Sequence, residues 1–223
     1  MFSFYGSKKR IADLYPPPKY DVIIEPFAGA AAYSCLYPER HVRLYDVDPR
    51  IIRCWEYLIA ATKDDILALP MFGPGQQLDR LNLTAGEFTF LGYMISASTR
   101  NPKKTATEKS NWSIFSRSRI AAAVEKIKHW TAEVSHFRDI TEAAPVTWFI
   151  DPPYEDKGKW YDHRLTDSDY RLLASRVRMD WRGQRIVCED VNASWLPFSP
   201  LVTVGGQSNN LTTEGIYLAE SSG

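Results

Sequence analysis

An uncharged, β-forming run at residues 146–150 ends abruptly at Asp151-Pro152-Pro153-Tyr154. Such a run reads as a buried strand of an α/β sheet. Two successive prolines cannot continue a strand and they fix φ, so the turn that follows is stiff. Any fold for this chain must therefore hold a carboxylate, a carbonyl and an aromatic ring rigidly at the end of an interior strand. Other segments supply a sheet around it. Residues 21–25 form a short apolar run that stops at Pro26, and residues 43–45 precede Asp46 in the same way. Asp48 and Pro49 are an N-cap and a first-turn proline, and Ile52, Trp55, Leu58 and Ile59 keep helical spacing to about residue 61. Thr166 and Asp169 form a capping box for a helix through about residue 179. Residues 185–188 predict another strand, and 201–204 with 215–218 a closing hairpin around Ser208, Asn209 and Asn210. Strands alternating with helices predict an α/β chain.

The middle breaks this rhythm. Residues 63–133 hold no comparable β-rich run and are interrupted by Pro70, Gly73, Pro74 and Gly75. Residues 88–96 predict a helix, and Ile120, Val124, Ile127 and Val134 a helical stripe. The division expected is one catalytic domain from residues 1–62 and 134–223, with a small, mainly helical insertion at 63–133. A length of 223 residues suits one substantial core with an insertion, and 44% hydrophobic with 24% charged residues excludes a disordered chain. No apolar run reaches membrane-spanning length and the opening does not read as a signal peptide, so no membrane partner is expected. Cys35, Cys54 and Cys188 form no CxxC pair, which fits a reducing cytoplasm and excludes a disulfide framework or a cysteine zinc site. His41, His129, His136 and His163 have no ligand spacing, so no metal is expected.

The 27 basic and 27 acidic residues cancel, yet between Arg100 and Lys128 eight cations face two carboxylates. Arg100, Lys103, Lys104, Lys109, Arg117 and Arg119 lie there among Asn, Ser and Thr, the donors that grip phosphates and base edges. A solvated basic face and a nucleic-acid surface both fit. Trp112, inside this stretch, reads either as core or as a base-stacking contact.

Two constellations carry chemistry. In Glu25-Pro26-Phe27-Ala28-Gly29, a glycine just beyond a strand lets the backbone approach a ligand, and Asp46 at the next strand end can accept ribose hydroxyls. A plain turn and a helix cap would look the same. In the second, Asp151 and the Pro152 carbonyl can accept hydrogen bonds from a planar amine while Tyr154 stacks on its ring. Accepting those bonds favours a pyramidal nitrogen with its lone pair free for attack.

With Tyr5-Gly6-Ser7-Lys8, Glu25 to Gly29, Tyr45-Asp46-Val47-Asp48, an insertion and Asp151 to Tyr154 in this order, the sequence resembles the Dam-like DNA adenine-N6 methyltransferases. The resemblance implies a doubly wound Rossmann-like methyltransferase sheet, S-adenosylmethionine as cofactor, double-stranded DNA as partner and the cytoplasm of a bacterial or phage-infected cell. It assigns Asp151, Pro152, Pro153 and Tyr154 to the catalytic corner. It assigns Tyr5, Lys8, Glu25, Pro26, Phe27, Gly29 and Asp46 to the cofactor, with Asp48 as a substitute for Asp46. Asp139 and Ile140 would meet the cofactor's adenine, and the insertion would recognise the target. Lys8 and Asp139 also read as a surface lysine and a turn cap. Ala31 replaces a glycine usual in the family; a positive φ there would cost about 1 kcal/mol. Related turns serve RNA adenine or DNA cytosine amino groups, and a degenerate DNA-binding homologue is a further alternative. The flanking bases and the oligomeric state are not encoded in these motifs.

Overall fold

The computed structural model describes residues 2, 4, 6–96, 99–155, 163–205 and 211–221. Tyr5, the residues after Glu155 up to His163, and the hairpin loop with Ser208, Asn209 and Asn210 lie outside this set. The chain is an α/β protein built on one seven-stranded mixed sheet. The strands are β1 (Val22–Glu25), β2 (His41–Asp46), β3 (Thr131–Val134), β4 (Val146–Ile150), β5 (Gly183–Asp190), β6 (Ser199–Gly205) and β7 (Leu211–Glu220), in spatial order β3-β2-β1-β4-β5-β7-β6. The first five run parallel, while β7 is antiparallel to both β5 and β6 and closes the sheet as a C-terminal hairpin.

The central strand β4 is buried at all five positions. Its side chains alternate between two cores, as period-two geometry requires. Val146, Trp148 and Ile150 pack with Tyr170, Leu173 and Val177 on one face, where Trp148 stacks on Trp181 at 4.3 Å. Phe149 joins the larger core on the other face, with Ile23, Leu44, Trp55 and Phe90. Helix α1 (Pro49–Ala60) lies on this second face and α5 (Asp167–Ser175) on the first. Asp48 caps α1 through Arg50 N at 2.8 Å, and Thr166 with Asp169 forms the capping box of α5. A five-residue π-turn, Arg176–Asp180, extends α5 to the expected end.

The middle segment holds α2 (Lys63–Ala68), α3 (Ala85–Met94) and α4 (Ile114–Val124). Capping boxes at Thr62/Asp65, Thr84/Glu87 and Ser113/Ser116 start them. Here one expectation fails. The helical stripe does not reach Val134, because α4 ends at Val124 and residues 131–134 form β3, an edge strand paired with β2. Only Ala132 of the four is better than exposed, so β3 shows none of the apolar density that marks an interior strand. In the same segment Ile66, Phe90, Leu91, Trp112 and Ile120 share one core with the sheet.

The order of strands positions the site. The chain leaves β1 toward β2 on one side and β4 toward β5 on the other, so a crevice opens above the carboxyl ends of these two neighbours, where open α/β sheets take ligands.

Candidate active site

Above that edge lies a cleft of about 1020 Å³. Among the segments that line it are Gly6 to Lys8, Glu25 with Phe27 to Ala32, Asp46 to Asp48, and Asp151 to Tyr154. The glycine-bearing turn and the proline corner thus face one space.

On one wall the β1 loop is drawn tight. Gly29 has φ +43° and Ala31 φ +42°, so the left-handed conformation is adopted twice within three residues, once by an alanine. Asp46 fixes this turn: its carboxylate accepts Gly29 N at 3.1 Å and Asp48 N at 3.0 Å. Burial pushes the Asp46 carboxyl up to about 6 against those two hydrogen bonds. Asp48 is committed elsewhere, with both oxygens on the Arg50 guanidinium at 2.8 and 2.7 Å. Both acids border the cleft, Asp46 held by backbone N–H groups and Asp48 by a guanidinium. Phe27 lines the cleft and pairs with Phe137 at 5.5 Å. Glu25 also borders the cleft, but its side chain turns inward to accept Ser34 N and Oγ at 3.1 and 2.6 Å; burial raises its carboxyl to about 8. Pro26 is buried beneath the turn and outside the lining.

At the opposite wall, Lys8 Nζ lies 2.8 Å from Asp151 Oδ1, 3.6 Å from Glu214 Oε1 and 4.4 Å from the Tyr154 ring centroid. Burial disfavours the Lys8 ammonium, but the facing Asp151 and Glu214 carboxylates outweigh it and hold Lys8 above the usual lysine range. Burial raises Asp151 to about 6 although Lys8 opposes it. The corner is braced from behind. Tyr170 donates its hydroxyl to the Pro153 carbonyl, and Glu189 Oε2 accepts Glu155 N and Trp195 Nε1, each at 3.2 Å. Tyr154 donates to Glu214 Oε1, as does Tyr15 at 2.7 Å. Glu155 is exposed and accepts Ser194 N and Oγ at 3.1 and 3.3 Å.

Several expected site residues stand apart. Asp139 is exposed and outside the lining, and Ile140 is buried in the core on the α5 face of the sheet; His136 and Phe137 of the same loop reach the cleft instead. Trp112 is not a surface contact. It is 4% exposed, meets Phe90 edge-on at 5.6 Å and donates Nε1 to the Pro70 carbonyl at 2.8 Å. Arg117 is tied to the Leu69 carbonyl at 3.1 Å, capping α2 rather than projecting outward. Arg100 lines the cleft, and Lys103, Lys104, Lys109 and Arg119 are exposed. The sequence reading missed Glu214, which no local motif marks, and Phe115, 88% exposed in the first turn of α4 beside exposed Ile114. It also missed His163, Arg164 and Leu165 on the cleft wall.

Among the described residues no cluster of His, Cys, Asp or Glu has the makings of a metal site, and no helix is long and apolar enough to cross a membrane. All three cysteines are free. No family model and no curated protein matches the chain. A solved structure described as a conserved hypothetical protein of Streptococcus pyogenes is similar at 10% identity and a TM-score of 0.39, covering 89% of this chain and 86% of that one.

Proposed function

We propose that this chain is a DNA adenine methyltransferase of the Dam-like kind, moving a methyl group from S-adenosylmethionine to the exocyclic amine of an extruded adenine. The observation that carries this reading is the convergence of the Asp151-Pro152-Pro153-Tyr154 corner and the Phe27–Gly29 bend on one cleft. The parallel order 3-2-1-4-5, with helices on both faces, supports a doubly wound Rossmann-like sheet.

The cleft fits the cofactor in size and donor set. Asp46 would accept the ribose hydroxyls, Phe27 and Gly29 would line the methionine part, and His136 with Phe137 would border the adenine. When bound, the cofactor supplies an electrophilic methyl on a sulfonium. The protein's share is alignment. Asp151 and the Pro152 carbonyl accept the two amine hydrogens, Tyr154 stacks on the base, and the braced corner keeps the nitrogen in line, which lowers the entropic part of the barrier. Lys8 occupies Asp151 Oδ1 and must yield part of that carboxylate to the amine. An adenine inside a duplex cannot reach this corner, so the base leaves the stack first. Lys103, Lys104, Lys109 and Arg119 would hold the backbone, while Phe115 takes the stacking or wedging part that the sequence offered to Trp112.

Asp151→Ala tests the assignment directly. Radiolabelled methyl transfer to duplex DNA should fall by at least about a thousandfold, several kcal/mol of barrier; undiminished transfer removes the corner from the mechanism. Digestion of the product to nucleosides separates adenine from cytosine, and an RNA substrate in parallel separates the two nucleic acids.

A further inference from the structure

The geometry points to Glu214 of β7 as a positioning residue of the methyl-transfer site: its carboxylate sets the angle of the Tyr154 ring and gives Lys8 a second anchor when a target amine takes Asp151. The inference rests on the proposed reaction but concerns a residue outside every motif that led to it.

Three donors converge on one oxygen. Tyr154 and Tyr15 both give their hydroxyls to Glu214 Oε1, and Lys8 Nζ stands 3.6 Å away. Glu214 is 5% exposed, so these contacts are made where water competes little. The backbone that carries this carboxylate is held on both sides, since Glu214 of β7 pairs with Asp190 of β5 and with Val202 of β6. A tyrosine ring pivots about its Cα–Cβ and Cβ–Cγ bonds, and a fixed acceptor at the hydroxyl removes that freedom. The ring face offered to a base is then set from the far end of the chain, sixty residues away.

The Lys8 contacts give the second part. A single ammonium serves two carboxylates, tightly at Asp151 and loosely at Glu214. An incoming amine needs an Asp151 oxygen as acceptor. Were Lys8 to leave without another partner, a buried ammonium would be stranded with its charge uncompensated. Glu214 lies close enough to take it with a shift of less than about an ångström, because N–O contacts of charged pairs settle near 2.8 Å.

The charge on Glu214 also bears on Asp151. The other groups facing that carboxylate are Glu25, Tyr15, Tyr154, Cys188 and Glu189, besides Lys8. A neighbouring carboxylate holds Asp151 higher than it would otherwise stand. Neutralising Glu214 therefore lowers Asp151, and the acid limb of the rate profile should move to lower pH.

The test uses the full chain with Glu214→Gln, Glu214→Ala, Tyr154→Phe and the Tyr154→Phe/Glu214→Ala pair. Glu214→Ala should lower kcat for methyl transfer to duplex DNA about ten- to a hundredfold, with S-adenosylmethionine affinity by calorimetry within about threefold of the unaltered protein. Glu214→Gln should recover part of that rate and shift the acid limb downward. The double variant should be no more than about twofold slower than Glu214→Ala, since both changes cut one tether. A readout independent of turnover is the Lys8 side chain. With 13C at the lysine ε-carbons, its resonance, assigned by its loss in Lys8→Arg, is displaced by the Tyr154 ring current and should move in Glu214→Gln. Unaltered kcat, acid limb and Lys8 resonance in Glu214→Gln and Glu214→Ala overturn the role of Glu214 while leaving methyl transfer by the unaltered protein intact. So does a loss confined to folding and cofactor binding with the limb unmoved. Absence of transfer by the unaltered protein overturns the reaction and this role together.

Discussion

Ala31 is held at φ +42°, where a side chain costs about 1 kcal/mol relative to glycine. Ala31→Gly should therefore raise unfolding stability, offset in part by the entropy that glycine adds to the unfolded chain. The expected net gain is about 0.5 kcal/mol, read as a higher denaturant midpoint at unchanged slope; a loss of stability would mean that the Ala31 methyl packs better than its backbone is strained. At the opposite wall the key group is Asp151, raised to about 6. It must be ionised to accept the amine, so kcat/KM for DNA should decline as pH drops below about 6, and a profile flat to pH 5 would contradict that role. Residues announced by local pattern, Phe27, Gly29, Asp46 and Asp151 to Tyr154, are brought together by the fold. Glu214 was illegible because its meaning depends on two strand pairings that join it to a corner sixty residues earlier. Asp139 misled because the loop after β3 presents its aromatic residues to the cleft and its acid to solvent.

Helix α4 separates two aromatics that composition alone cannot tell apart. Trp112 precedes it as a core residue and Phe115 projects from its first turn. Trp112→Ala should destabilise the fold by about 3–5 kcal/mol, the range for emptying a buried aromatic site. Phe115→Ala should leave the melting temperature unchanged yet weaken duplex binding or methyl transfer, as measured by fluorescence anisotropy and turnover on the same oligonucleotide. Equal stability losses in both variants would return Phe115 to the core. Of the regular elements, the interior ones were legible. The strands β1 and β4 are dense in apolar residues, β5 has an apolar centre at Ile186, Val187 and Cys188, and α1 and α5 carry explicit caps. The edge strand β3 was read as helix because it is exposed on most positions and its pairing, not its composition, makes it a strand. Gly183 is a further case. It opens β5 at φ +96°, and a Cβ there would meet the Val146 carbonyl at 2.1 Å, so the approach of β5 to β4 depends on a glycine that no turn pattern singles out.

Among the described residues, four buried or partly buried acids stand above their ordinary range: Glu25 at about 8, Glu189 at about 7, and Asp46 and Asp151 at about 6, each through burial first. The folded chain keeps protons that the unfolded chain releases from about pH 4 upward, so stability declines as pH rises through that window. His136, lowered mainly by burial, acts in the opposite sense below its ordinary value but is one group against four. Asp169 and Glu142 are held low and lose their stabilising effect only in stronger acid. Melting temperature should accordingly peak near pH 4 and drop by several degrees by pH 8; a rise between those values would contradict the burial of these carboxyls. The same burial concentrates acids around the cleft, where the sheet order brings distant motifs to one edge.

The decisive measurement is mass spectrometry of nucleosides from duplex DNA incubated with the purified protein and isotopically labelled S-adenosylmethionine. N6-methyl-2′-deoxyadenosine carrying the label, absent with Asp151→Ala, is the expected result. Labelled product on another base, or none from a folded protein that binds the cofactor, would contradict the proposed chemistry of the proline corner.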